Sequence, residues 1–277
     1  MKVLVIENIS KTFKSNGRSH KAVDGFSSKV LPGEVVAIVG ESGSGKSTIA
    51  RMVVGLDKPD TGSVTIEELT NTHAPRLKDV QMVFQDPFAS LNPVHTVRTH
   101  LRRIIKRLRP EINQTTAVEN EITRLLELVE LKPAQTYLDR YPGSLSGGQR
   151  QRVAIARALA PSPSFIVADE PTSMLDVSIR REILGLLSRL RGDGLGVILI
   201  THDLLSVEAI ADRVHVVKNG RCVETGATET ILKFPSHPYT QLLCASVPDP
   251  DGRFMRDDHA KQITPNSITN ALKVLRE

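Results

Sequence analysis

Short runs of consecutive apolar residues alternate along this chain with longer stretches in which apolar residues recur every three or four positions. Residues Val35 to Val39, Val80 to Phe84, Phe165 to Ala168 and Val197 to Ile200 are nearly continuous apolar runs bounded by polar residues or glycine. Such runs are typical of strands that are buried on both faces, as in a parallel sheet covered by helices. The alternation predicts an α/β protein with a largely parallel sheet.

The segment from about Asp86 to Ala160 departs from this alternation because it follows a helical period throughout. The apolar residues at that period are Leu101, Ile104, Ile105 and Leu108, and then Ile122, Leu125, Leu126 and Val129. A helical segment between the second and third predicted strands indicates an inserted helical subdomain. We therefore predict an α/β core at 1–85 and 161–235, the helical subdomain at 86–160 and a C-terminal extension at 236–277, where Ile268 to Leu275 are compatible with a last helix.

Composition permits one large domain or two modest ones, since the 277 residues are 40% hydrophobic and can bury a core. The net charge of +5 suits nucleotides, nucleic acid or an anionic membrane surface. The basic excess is concentrated in Arg98, Arg102, Arg103, Lys106, Arg107 and Arg109. This basic run has two interpretations, a solvated helix face or a contact with a partner.

The cysteines and the hydropathy give the expected compartment. Cys222 and Cys244 form no CxxC motif, so we expect free thiols in a reducing environment. No stretch approaches the roughly 20 apolar residues of a membrane span. We therefore expect a soluble, cytoplasmic protein.

Residues Gly40 to Ser47, with the sequence GESGSGKS, match the phosphate-binding pattern G-x-x-x-x-G-K-[ST]. A predicted strand precedes this loop and a helical pattern follows it, which is the context that the motif requires. Glycines allow the backbone N–H groups to wrap around phosphates, and Lys46 supplies positive charge to the outer phosphates. The Ser47 hydroxyl can bind Mg²⁺. The loop therefore predicts a nucleotide site.

Four further polar side chains follow the ends of predicted strands, and these ends meet at the ligand-binding edge of an open parallel sheet. Asp169 and Glu170 come directly after the third strand. Asp169 suits the water-mediated second shell of Mg²⁺, and Glu170 suits the base that orients and deprotonates an attacking water. Gln85 could reach the metal or that water, and His202 could bind the γ-phosphate and hold Glu170.

A second anion-binding pattern, LSGGQRQRVAIARAL at 145–159, lies in the helical segment. If Ser146 caps this helix, the N–H groups of Gly147 and Gly148 point outward with the positive end of the helix dipole behind them. The phosphates of a nucleotide bound at the chain's own loop already have Lys46 and a metal ion as partners. The natural target of this helix is therefore a nucleotide bound by another copy or by a related chain.

The motifs GESGSGKST, LSGGQRQRVAIARAL, FIVADEPTSMLD and ITHD, in this order, resemble the ATP-binding subunit of an ABC transporter, from Val3 to about Pro250. The resemblance implies a P-loop NTPase (RecA-like) core with a mainly parallel sheet and an N-terminal antiparallel β part. It also implies ATP and Mg²⁺ as cofactors and ATP hydrolysis as the reaction. In the family, two subunits dimerise head to tail and enclose two ATP between the phosphate loop of one and the LSGGQ of the other.

The resemblance also assigns individual residues. Phe13 stands where the family stacks an aromatic ring on adenine, Asp176 matches the loop that links the two sites, and Gln85 begins the lever that contacts the membrane subunits. The expected catalytic residues are Glu170, His202 and Gln85, and the expected metal-binding residues are Ser47, Gln85 and Asp169. The expected nucleotide contacts are Phe13, Gly40, Ser42, Gly43, Ser44, Gly45, Lys46, Ser47, Thr48, Asp169, Ser146, Gly147, Gly148, Gln149 and Asp176.

Two segments narrow the branch of the family. VQMVFQDPFASLNP at 80–93 and FPSHPYTQLL at 234–243 are similar to importers of oligopeptides, dipeptides and nickel. The stretch from Asp57 to Asp79 is shorter than the family pattern, and Met174 replaces the usual Ala, but neither change touches the phosphate site. Because Cys244 is nearly alone in the tail, we expect no iron–sulfur centre there.

The resemblance implies three kinds of partner at the cytoplasmic face of the cell membrane. These are a second ATP-binding subunit, identical or related, the integral-membrane permease subunits and, indirectly, a periplasmic or extracellular solute-binding protein. An exporter subunit is an alternative, against which the HPYT segment argues. A DNA-handling ATPase of the same superfamily suits the basic charge, but long heptads and CxxC pairs are missing from the sequence, so we expect no nucleic acid partner. A GTP switch is disfavoured because the sequence has no NKxD motif.

Overall fold

A computed structural model of the protein describes residues 2–15, 18–68, 71–75, 78–247 and 254. The strands are β1 Val3–Ser15, β2 Arg18–Val30, β3 Val35–Val39, β4 Thr61–Glu68, β5 Asn71–His73, β6 Val80–Val83, β7 Phe165–Asp169, β8 Gly196–Thr201, β9 Arg213–Lys218 and β10 Arg221–Ala227. The helices are α1 Lys46–Val53, α2 Pro87–Ser90, α3 Val97–Leu108, α4 Thr115–Leu128, α5 Gln135–Leu138, α6 Gly147–Leu159, α7 Val177–Gly192, α8 Leu204–Ile210, α9 Thr228–Lys233 and α10 Pro238–Ala245.

The main sheet has the strand order β10-β9-β3-β8-β7-β6, and its strands are parallel except for β10. Every residue of β3, β7 and β8 is buried, because helices and a second sheet cover these strands. The four strands predicted from apolar runs are the neighbours β3, β8, β7 and β6. The predicted α/β class with a mainly parallel sheet is confirmed.

A second, antiparallel sheet has the order β2-β1-β4-β5 and covers α1. Its inward side chains, among them Leu4, Ile6 and Phe26, share one buried cluster with Ile49 of α1 and Ile38 of β3. Helix α1 therefore lies between two sheets, and its first residue, Lys46, is held at the edge of the main sheet.

The region between β6 and β7 contains helices α2 to α6, but it is not helical throughout as the sequence pattern indicated. The interruptions contain Pro93, Pro110, Pro133 and Pro142. Proline has no backbone N–H group and clashes with the preceding turn, so it ends helices that the apolar period alone would continue. The apolar stripes themselves pack as predicted, with Leu101 and Ile122 both fully buried in one cluster.

Three residues of the basic run, on α3 and directly after it, form ion pairs within this helical region. Arg98 and Arg102 both contact the carboxylate of Glu119 on α4, and Arg109 lies 2.7 Å from Glu121. These contacts hold α3 against α4, which is a role that neither interpretation of the run included.

The last helix expected at 268–275 lies outside the described residues. Within the described ranges, no helix combines the length and the apolar character needed to cross a membrane.

His215 on β9 is a buried titratable group between the two sheets. Its Nε2 lies 2.9 Å from the Ser28 hydroxyl of β2, and its ring stands edge-on to Phe26 with 5.2 Å between the centroids. Burial and, to a smaller extent, the Arg213 charge lower the pKa of His215 to about 4, against the opposing effect of the Glu34 charge. The folded protein therefore keeps this histidine neutral at pH values where an unfolded chain would protonate it.

We expect His215 to make the free energy of unfolding fall by roughly 3 kcal/mol as the pH decreases from about 6.5 to about 4. In this window the unfolded chain binds a proton that the folded chain rejects, so acid favours unfolding. Urea unfolding across this window measures the slope in wild type and in His215→Gln, which keeps a hydrogen-bonding side chain but does not titrate. The exposed His20, changed to Gln, is the control. Equal slopes in all three proteins would contradict the prediction.

Candidate functional site

One cavity of about 660 Å³ lies where β3, β6, β7 and β8 end, a size typical of small-molecule sites. It is lined by Phe13, His20, Ala22, Glu41, Ser42, Gly43, Gly45, Lys46, Ser47, Thr48, Gln85, Glu170 and His202. Predicted site residues from five separate parts of the chain therefore line one space: Phe13, the phosphate-binding loop, Gln85, Glu170 and His202. His20, Ala22 and Glu41 were not predicted to line it.

The phosphate-binding loop occupies the turn between the buried strand β3 and helix α1, and its backbone is braced from outside. Gly45 has a φ of +106°, and a β-carbon there would lie 2.2 Å from the carbonyl oxygen of Ala22. The Gly220 N–H, in the turn between β9 and β10, donates to the Ser44 carbonyl at 2.9 Å. Only glycine fits at position 45, because the loop is pressed against β2.

Lys46 is buried at the first turn of α1, and its ammonium group lies inside the curve of the loop. Its Nζ donates to the carbonyl oxygens of Gly40 at 2.8 Å and Glu41 at 2.6 Å. Burial lowers the pKa of Lys46, while the charges of Glu170, Asp169 and Glu41 raise it. A buried cation at the first residue of a helix, where the helix dipole is positive, is suited to binding a polyanion.

The hydroxyl of Ser47 donates to Oδ1 of Asp169 at 3.3 Å, so two hard oxygen ligands lie side by side. Burial raises the pKa of Asp169, and the Ser47 hydrogen bond and the Lys46 charge oppose that shift. Within the described ranges, no three His, Cys, Asp or Glu side chains gather to hold a metal ion. This donor set fits Mg²⁺, which commonly takes one or two protein oxygens and completes its shell with phosphates and water.

Glu170 follows β7, and both of its carboxylate oxygens are engaged. Gln85 donates through Nε2 to Oε2 at 3.0 Å, and Nδ1 of His202 lies 3.1 Å from Oε1. The backbone of Glu170 has a φ of +44°, which is uncommon outside glycine, and its N–H donates to the Ile200 carbonyl at 2.8 Å. Strained backbone of this kind tends to occur where a functional side chain must be aimed.

The structure adds two residues near His202 that sequence reasoning missed. Asp203 caps α8 by accepting the Leu205 N–H at 3.1 Å, and its other oxygen lies 3.0 Å from Nη1 of Arg180 on α7. This ion pair ties the segment that carries His202 to the helix that follows Asp176. The Asp of ITHD was the available signal, but Arg180 stood in no motif.

The LSGGQ helix has the predicted cap and also an unpredicted contact. Ser146 Oγ accepts the Gln149 N–H at 3.2 Å, and Gln149 Oε1 accepts the Ser146 N–H at 3.1 Å, which together form a capping box. A β-carbon on Gly148 would lie 2.6 Å from the Ile179 side chain of α7. Gly148 is therefore required for packing between α6 and α7, a reason that the anion-binding pattern did not reveal.

Five of the predicted nucleotide contacts do not line the cavity that the described residues form: Ser146, Gly147, Gly148, Gln149 and Asp176. The structure brings the phosphate loop, Gln85, Glu170 and His202 together, and it places these five elsewhere on the same chain. Ser146 and Asp176 are exposed to solvent.

Comparison with known proteins gives consistent matches. A sequence model described as ABC transporter matches residues 23–173, and one described as oligopeptide/dipeptide transporter, C-terminal region, matches residues 223–272. The chain is 41% identical over 261 residues to the oligopeptide transport ATP-binding protein OppF of Streptococcus mutans, covering 90% of this chain and 83% of OppF. It is 42% identical over 236 residues to the dipeptide transport ATP-binding protein DppF of Haemophilus influenzae, covering 82% of this chain and 71% of DppF.

The fold matches solved structures as well. The dimeric structure of MJ0796, described as a bacterial ABC transporter cassette, superposes with a TM-score of 0.71 at 31% identity, covering 81% of this chain and 98% of MJ0796.

Proposed function

This chain belongs to the ATP-binding proteins of ABC transporters, and from that premise we propose that it powers the import of peptides or related small solutes. The observation that carries the importer class is the match of residues 223–272 to the C-terminal region of oligopeptide and dipeptide transporters. OppF and DppF, named for the transport of oligopeptides and dipeptides, are similar over most of this chain. These matches favour the importer over the exporter and DNA-handling alternatives.

ATP hydrolysis is the reaction of this enzyme family, and another MJ0796 structure holds ADP and Pi after hydrolysis. We assign the phosphates of ATP to Lys46 and to the backbone N–H groups of the phosphate-binding loop. Ser42, Gly43 and Gly45 of this loop line the cavity together with Lys46. Phe13, with 42% of its surface exposed at the same cavity, is the flat apolar face available to the adenine ring.

Glu170 is the proposed general base. The contacts from Gln85 and His202 fix its carboxylate, so that a remaining oxygen lone pair can accept a proton from water attacking the γ-phosphate. His202, whose side chain is 63% exposed, is free to contact that phosphate as well. When bound at Ser47 and Asp169, Mg²⁺ would neutralise negative charge on the phosphate oxygens.

A head-to-tail dimer explains the residues that lie away from the cavity. Exposed Met174 and Val177, at 56% and 64%, flank Asp176 at the start of α7. The Leu175 side chain lies 3.3 Å from the β-carbon position of Gly147, so this exposed segment adjoins the LSGGQ helix. We propose that a second ATP-binding subunit, identical or related, covers this surface and receives the N–H groups of Gly147 and Gly148 at its own ATP. Ser146, Gln149 and Asp176 would act across the same interface.

The remaining partners are the membrane subunits and, through them, a solute-binding protein. We propose that the chain associates with the cytoplasmic face of the membrane, where the segment beginning at Gln85 contacts the permease. This segment joins the permease side to Glu170 directly, since Gln85 donates to its carboxylate.

We expect the protein to co-purify with integral-membrane permease subunits from detergent-solubilised membranes, and the assembled complex to drive ATP-dependent uptake of a labelled peptide into proteoliposomes. Uptake should stop with Glu170→Gln, because the permease then lacks the hydrolysis cycle, while co-purification persists. Peptide binding by the solute-binding protein alone is the control. ATP-driven movement of the peptide in the outward direction, or co-purification with DNA instead of membrane subunits, would contradict the importer.

A further inference from the structure

The HPYT segment, residues 237–240, builds the start of α10 and fixes it to the core. His237 caps the helix, since its Nδ1 accepts the Tyr239 N–H at 3.1 Å, and Pro238 occupies the first turn, where no N–H is needed. The Glu224 carboxylate on β10 accepts the backbone N–H groups of Ser236 at 2.8 Å and His237 at 3.1 Å. The position of α10 is therefore defined by hydrogen bonds at its entry.

Tyr239 extends from this helix to the phosphate-binding loop. Its hydroxyl oxygen accepts the backbone N–H of Glu41 at 2.9 Å, across 198 positions of sequence. The ring is 3% exposed and packs in one apolar cluster with Val39 and Val216, and the Lys218 ammonium lies 5.1 Å from the ring centroid. Packing thus fixes the ring, and the ring aims the hydroxyl at the loop.

Glu41 is the residue through which this contact reaches the chemistry. Its N–H is bound by Tyr239, and its carbonyl oxygen accepts from the Lys46 ammonium at 2.6 Å. On the far half of the loop, Ser44 is held by the N–H of Gly220. The loop is therefore anchored from outside at both halves, and Tyr239 supplies the anchor next to the carbonyl that positions Lys46.

We propose that Tyr239 is a positioning residue for the phosphate loop. Through this residue, helix α10 sets the affinity of the site for ATP. This inference rests on the proposed assignment of the loop and Lys46 to the phosphates of ATP. It gives a physical role to one residue of the region that matches the oligopeptide/dipeptide transporter C-terminal region. An anchored loop presents its N–H groups in one geometry before ATP arrives, whereas a loop without this anchor must be ordered by the nucleotide.

The test is Tyr239→Phe in the full chain, which keeps the ring and removes the hydroxyl. We expect KM for ATP to rise roughly 3- to 10-fold, the worth of one neutral hydrogen bond, with kcat changed less than about twofold. The split arises because ATP, once bound, orders the loop itself. Thr240→Val is the matched control, since this adjacent hydroxyl is also buried and has no hydrogen-bond partner among the described residues.

A second readout does not depend on ATP. Hydrogen exchange of the nucleotide-free protein should show faster exchange of the Glu41 amide in Tyr239→Phe than in wild type or Thr240→Val, with the thermal midpoint similar in both variants. Unchanged KM and unchanged Glu41 exchange would overturn the inference. An equal rise of KM in Thr240→Val would also overturn it, because general loosening of α10 would then suffice. If Lys46→Ala binds ATP as tightly as wild type, the loop does not hold the phosphates. The assignment of the loop then fails, and this inference fails with it.

Discussion

Turnover of ATP is expected to fall roughly 10²- to 10⁴-fold when Glu170 is replaced by glutamine, while ATP binding is retained. The amide has nearly the same shape and can still meet Gln85 and His202, which lie 3.0 and 3.1 Å from the two carboxylate oxygens. It cannot accept the proton of the attacking water. Phosphate release under saturating ATP measures the rate, and equilibrium titration with ATP measures the affinity.

Two controls separate loss of the base from other effects of this change. Glu111→Gln makes the same chemical change at an exposed ion pair with Arg109 and should leave turnover unchanged. The ATP-loaded Glu170→Gln protein should also accumulate as a dimer in light scattering, and adding Ser146→Ala should weaken that dimer without lowering the ATP affinity of the monomer. Unchanged turnover in Glu170→Gln would remove the proposed base. A monomer that hydrolyses ATP at the full rate would remove the proposed dimer.

Loss of the Lys46 ammonium is expected to weaken ATP binding itself by about 10- to 100-fold, the range of one charge-assisted hydrogen bond. The change has two physical consequences. The bound phosphates would lose a neighbouring buried cation. The carbonyls of Gly40 and Glu41 would lose the Lys46 ammonium, whose hydrogen bonds hold the loop in its curved shape. Isothermal titration of Lys46→Ala with ATP provides the measurement.

The matched control is Lys233→Ala, which removes the same charge from a surface lysine paired with Glu229 on α9. Its ATP affinity should equal that of wild type, because a partly exposed i,i+4 pair contributes little. Equal affinities of wild type and Lys46→Ala would show that the loop does not hold the phosphates.

Loss of Lys46 is expected to affect ATP binding, whereas loss of Glu170 is expected to affect turnover. This difference follows from where the two side chains lie. Lys46 donates to the carbonyls of the loop to which we assign the phosphates, so we expect its loss to appear in the affinity. Glu170 lines the same cavity with its oxygens held by Gln85 and His202, where it is proposed to act as the base, so we expect its loss to appear in the rate. A variant that showed the opposite pattern would require the two assignments to be exchanged.

The sequence by itself determined four of the six described strands of the main sheet, β3, β6, β7 and β8, and the loop that follows β3. A strand buried on both faces is apolar at nearly every position, so β3, β7 and β8 can be recognised from their own residues alone. The phosphate loop is equally local, since its glycines allow the turn and its lysine donates to carbonyls only five and six positions before it. The Ser146 capping box is local for the same reason.

Sequence periodicity was less reliable where the period was interrupted. The segment between β6 and β7 kept a helical pattern of apolar residues, yet it is divided into separate helices at proline-containing turns. The apolar stripe reports which residues face the core, but it does not report whether the backbone hydrogen bonds continue between them.

Only the tertiary structure decided which distant groups meet. The hydroxyl of Tyr239 reaches the N–H of Glu41, Arg180 pairs with Asp203, and the Gly148 backbone packs on Ile179. No local pattern encodes these contacts, because each depends on the order of strands in the sheet and on how a helix docks against it. Hydrophobic patterning specifies which faces are buried, whereas the partner of a buried polar group is set by the packing of elements far apart in the chain.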